Sequence, residues 1–167
     1  MTEPVWLGIQ QRLEDVLRLI KTSNDYHYDL GDHLITHGRD AVPLDAEGRL
    51  NVDKDFTGVF IDANAQATVD ESAISKQSDK GVALMQRDIE IHGFTQLKDL
   101  QAVDAWLVPA ERLKLDIKQA VMSLNQQRIK GLHRVLPVEE SMNPPAAGER
   151  LLKVAVTFEF HYMETYQ

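Results

Sequence analysis

The sequence predicts an α+β fold: a mainly antiparallel sheet with two amphipathic helices packed on one face. Three observations carry that prediction. Residues 151–162, LLKVAVTFEFHY, alternate with period two, so Leu152, Val154, Val156, Phe158, Phe160 and Tyr162 share one side of an extended chain. Lys153, Ala155, Thr157, Glu159 and His161 share the other. Two further segments repeat their apolar residues at helical spacing, and several short β-branched or aromatic stretches lie between them.

Taken in order, Thr2, Glu3 and Pro4 make a helix entry, with a capping hydroxyl, an acid near the positive end of the dipole and a proline in the first turn. Val5, Ile9, Leu13, Val16, Leu17 and Ile20 then form one apolar stripe, which predicts a first helix ending near Asn24. In residues 26–40, YHYDLGDHLITHGRD, Gly31 and Gly38 bracket a short strand over 33–37. Residues 41–55 carry Pro, Gly and four acids, and read as a loop or a loosely attached hairpin. A strand follows over 56–63, and then a polar stretch over 64–81 with no sustained period, read as a long arm or flap.

Ile89 and Ile91 alternate with Asp88, Glu90 and His92, predicting a strand within 82–94. Trp106, Ala110, Leu113, Ile117, Ala120, Val121 and Leu124 keep helical phase across Pro109. They predict a second helix over 104–125, with the proline near its first turns, where a missing N–H costs least. Residues 132–138 are a further strand, Pro137 marking an edge or a bulge. Residues 141–149 are an exposed turn into the final strand. The whole, 1–167, reads as a single domain with long loops at 41–55 and 64–81.

The totals exclude several classes. At 43% hydrophobic and 26% charged the chain is of ordinary globular composition. No apolar run approaches the roughly 20 residues needed to cross a bilayer, and the N-terminus lacks the basic segment and apolar core of a signal peptide. The expected place is the cytoplasm, with no membrane partner. Zero cysteines rule out disulfides, thiolate metal ligands and a cysteine nucleophile. A net charge of −8 opposes general nucleic-acid binding, which needs a basic face.

The sequence carries no recognisable catalytic signature. Asp29, Asp32, His33 and His37 suggest a metal site, and a small metal-dependent hydrolase is the reading from another class that they support. On a strand, however, His33 and His37 would stand roughly 13 Å apart and would not share an ion. None of Ser23, Ser72, Ser75, Ser78, Ser123 and Ser141 sits in a Gly-x-Ser-x-Gly or Ser-x-x-Lys motif, and the glycines form no phosphate-binding loop. Asp70 with Glu71, and Glu139 with Glu140, read as solvated acids. His92 and His161 read as surface or interface residues, and Trp6 and Trp106 as core or subunit contacts. No catalytic residue, metal ligand or cofactor is assigned.

Four segments together resemble the tail terminator, or tail completion, proteins of long-tailed bacteriophages. They are the first helix running into Tyr28-Asp29-Leu30-Gly31, residues 33–35 and Gly38-Arg39; the strand at 56–61; the late helix with Leu113, Asp116, Ile117, Ala120 and Val121; and the terminal strand ending at Tyr162. The sequence departs from a minimal member by extra length at 41–55 and 64–81. The resemblance implies a virion structural protein that is not an enzyme. It would assemble with itself as a ring, commonly a hexamer, on the end of the tail tube. There it would stop tube polymerisation and present a docking surface to the head-tail connector, with DNA only passing through the lumen. A neck or head-closure subunit is the nearest alternative. The interface residues expected on this reading are Arg39, Phe56, Asp70, Glu71, Lys76, Lys80, His161 and Tyr166. The expected locations are the host cytoplasm during assembly and then the tail or neck of the virion.

Overall fold

The computed structural model describes residues 3–30, 57–62, 67–69, 81–98 and 104–165. Helix α1 spans Val5–Arg18 and buries Trp6, Ile9, Leu13, Val16 and Leu17, the predicted stripe widened by one indole. Its N-cap is Pro4, which supplies no side-chain bond; Thr2 lies outside the described residues. The N–H of Val5 instead donates to Glu164 Oε1 at 3.0 Å, so an acid from the far end of the chain meets the positive end of the helix. The helix does not reach Asn24. Lys21 is extended (φ −146°, ψ 145°), and Thr22–Asn24 forms a separate 3₁₀ turn that ends on Asp25 in the left-handed region (φ 65°), a conformation aspartate tolerates.

Among the described residues, five strands follow: β1 (Thr57–Asp62), β2 (Ala67–Val69), β3 (Val82–Gln96), β4 (Leu132–Asn143) and β5 (Leu151–Thr165). They form one antiparallel sheet ordered β1-β3-β5-β4, with β2 also paired to β3. The short strand β2 falls in the stretch read as unstructured. Its three residues are too few to show a period, but the long overhang of β3 at residues 85–87 gives them a ladder to join. β4 likewise runs past the predicted end at 138, through residues read as a turn, because β5 continues beside it. Register shifts at Leu132/Arg134 and Pro137/Glu139 absorb the proline on what is the outer strand of the sheet, as its missing N–H requires.

Period-two alternation and register together sort the two faces. Val59, Gly93, Val154 and Met142 form one cross-strand row, and Ile61, Ile91 and Val156 the next. Both rows face α1 and the second helix, α2 (Leu107–Met122). Ala110, Leu113, Ile117, Ala120 and Val121 are its buried residues on that side. A Cβ at position 93 would lie 2.9 Å from Ile117 Cδ1 and 3.1 Å from Leu113 Cδ2, so glycine is what lets α2 lie this close to β3. Trp6 packs edge-on against Phe160 (5.5 Å between ring centroids), and the Arg87 guanidinium sits 4.3 Å from the Trp6 ring centroid. Trp6 is a core residue, and Trp106 is half-buried against the same core. The second helix is shorter than predicted at both ends: its last turn tightens to a 3₁₀ helix over Ser123–Gln126, and Pro109 lies in its first turn as expected.

Candidate functional site

Of the residues expected at an interface, Arg39, Phe56, Asp70, Glu71, Lys76, Lys80 and Tyr166 lie outside the described residues, as do His33 and His37. His161 is described, and the expectation of a surface position is corrected. It is only 6% exposed, and its Nε2 bonds Glu159 Oε1, two residues back on the same face of β5. Burial of an imidazole is tolerated here because the carboxylate beside it meets its polar edge.

Asp116 is 0% exposed on α2 and holds the turn that follows α1. Its carboxylate accepts the backbone N–H of His27 (2.9 Å) and of Tyr28 (2.9 Å). His27 Nδ1 lies 2.7 Å from its Oδ1; beside a carboxylate that nitrogen is the donor. Asp29 closes the same loop by accepting from Thr22 N (2.8 Å) and Oγ1, and the Tyr28 hydroxyl donates to Pro109 O (3.2 Å). Burial raises the pKa of both Tyr26 and Tyr28, and the Asp116 charge pushes each the same way, against Arg112 in the case of Tyr28. A cavity of about 530 Å³ opens beside this anchor, with His27, Tyr28, Thr57, Thr95, Lys98 and Pro109 in its wall.

A second charged group ties α2 to β4. Lys114, a buried lysine, pairs with Glu111 and Glu140 at 3.0 Å each, and Lys118 reaches the other oxygen of Glu140. Burial alone would lower the Lys114 pKa, but the two carboxylates outweigh it and hold the ammonium above its ordinary value. The Lys118 and Lys114 hydrogen bonds hold Glu140 below the usual carboxylate range, against its partial burial. Glu139 and Glu140, read as a pair of solvated acids, are thus divided: Glu140 shares a row with Val156 on the helix side, and Glu139 faces Thr157 on the other.

The face of the sheet away from the helices carries its own pattern. Phe60 stacks on His92 (centroids 4.3 Å apart, planes 1° from parallel) and on Phe94 (5.4 Å). One row further along, Asp62 stands opposite Glu90, and ligand atoms of Asp62, Glu90 and His92 all lie within 4.8 Å of one another. At the outer edge of β4, Asn125 donates to Val135 O (2.9 Å) and accepts from Val135 N–H (2.8 Å), occupying the groups that a neighbouring strand would otherwise bond.

Alternation alone places Glu90 and His92 on a common face, whereas Asp62 and Asp116 gain their roles from partners far away in sequence, and Asn125 from the fold-back of β4 ten residues on. Among the described residues, no helix is long and apolar enough to cross a membrane. No protein-family model matches the chain, and no curated protein matches it significantly.

Proposed function

We propose that this chain is a building block of a phage virion: a tail terminator that caps the tail tube as a homo-oligomeric ring and is docked by the head-tail connector. The observation that carries the reading is the inequality of the sheet's two sides, short β1 and β2 flanking β3 on one and long, bulged β4 flanking β5 on the other. A closed ring of identical copies joins unlike surfaces head to tail, and such a sheet supplies two. Exposed Leu107, Val108 and Leu115 on α2 add apolar material to the outer surface. The tail-terminator resemblance of the Tyr28-Asp29-Leu30 and Asp116-Ile117 segments adds a further point: in the fold they are one unit, because Asp116 binds the backbone of Tyr28.

The test is mass and shape. Light scattering on the purified chain, alone and with tail tube protein, should give a multiple of 18.9 kDa, and negative-stain images should show rings. A chain that stays monomeric with tube protein present and is missing from purified particles refutes the proposal.

A further inference from the structure

The geometry points to a divalent transition-metal site formed by Asp62, Glu90 and His92 on the face of the sheet away from the helices. It stands apart from the assembly reading. The donor set is mixed, two carboxylates and an imidazole, and imidazole is the ligand that favours zinc-like ions over magnesium or calcium. All three side chains stand on paired strands, Asp62 on β1 directly opposite Glu90 on β3, with His92 two residues on and therefore on the same face. Rigid strands hold such a set better than loops.

The imidazole is positioned by its neighbour. Phe60 lies flat on the His92 ring, limiting its rotation, while His92 Nε2 is turned toward the carboxylates, 3.3 Å from Glu90 Oε1. Donors around a tetrahedral zinc stand about 3.3 Å apart, so atoms within 4.8 Å close on an ion by small rotations of the two acids. Like charges set directly opposite each other weaken a strand pair, and a cation between Asp62 and Glu90 reverses that sign. On β5 the residues facing His92 and Glu90 are the small Ala155 and Thr157. They leave a recess of about 160 Å³ on the β5 side of Glu90, bordered also by Glu139, Glu140 and Ser141. The ion would bridge β1 to β3.

Calorimetric titration of ZnCl₂ into the chelator-treated full chain tests this, with MgCl₂ as the comparison. The expected result is one zinc per chain, bound far more tightly than magnesium, with a rise in melting temperature and a shift of the His92 ring resonances. Glu90→Gln and Asp62→Asn, close in shape to the wild type, and His92→Ala should each weaken zinc binding at least tenfold. His133→Ala, an exposed histidine on β4, should leave it unchanged. Zinc bound equally well by all three site variants overturns the assignment, and so does the absence of heat and of any melting shift at millimolar zinc.

Discussion

Asp116 on α2 and His27 in the loop after α1 are joined twice, ring nitrogen to carboxylate at 2.7 Å and backbone N–H to carboxylate at 2.9 Å. Eighty-nine residues apart in sequence, they fix how the first helix leaves the core. Replacing Asp116 by Ala strands the N–H groups of His27 and Tyr28, which costs roughly 2–4 kcal/mol of stability. His27→Ala removes only the half-exposed ring and should cost under about 1 kcal/mol. Urea unfolding of the two variants reads the difference, and equal losses would contradict the anchor.

Glu140 connects pH to stability. Its folded-state pKa is depressed, so its contribution is present above the unfolded value, near 4.5, and is lost as pH falls through the folded value. Lys114 has the opposite sign: raised in the fold, it contributes below 10.5 and loses that contribution as pH rises beyond it. Glu140 is a third exposed, so screening keeps its effect under about 1 kcal/mol. Unfolding curves from pH 3 to 7 should show a shallower acid limb for Glu140→Gln than for the wild type.

Gly93 is expected to resist enlargement. Valine there would drive its methyls into Ile117 and Leu113, lifting α2 from β3 at a cost of about 1–3 kcal/mol, measured by thermal or urea unfolding. An unchanged midpoint would mean that the helix can move off the sheet freely.

Asn125 guards the edge of β4. Asn125→Ala frees both backbone groups of Val135 and removes two hydrogen bonds, for a loss of about 1–2 kcal/mol. Gel filtration should also show more higher-mass species, because an opened edge accepts strands from other copies.

The amphipathic stripes and the final strand were legible because burial on one side leaves a period in the sequence, 3.6 for α1 and α2 and two for β5. β2 was not, since three residues cannot show a period and pair only because β3 overhangs beside them. The exit from α1 departs from the stripe for a related reason: Ile20 keeps the helical phase, yet Lys21 is extended, and Leu30 N–H returns to bond Ile20 O at 3.0 Å. That return contact is invisible to any local pattern.

Local periodicity by itself determined that this protein would be two helices on one face of an antiparallel sheet, because each element must turn its apolar side to a common core. Tertiary structure alone decided which polar residues meet: Asp116 with His27, Lys114 with Glu140, Asp62 with Glu90. The reason is physical. Hydrophobic burial is non-directional and shows in the spacing of residues, whereas a hydrogen bond or ion pair needs two groups within a few ångströms, and only register and helix docking set that distance.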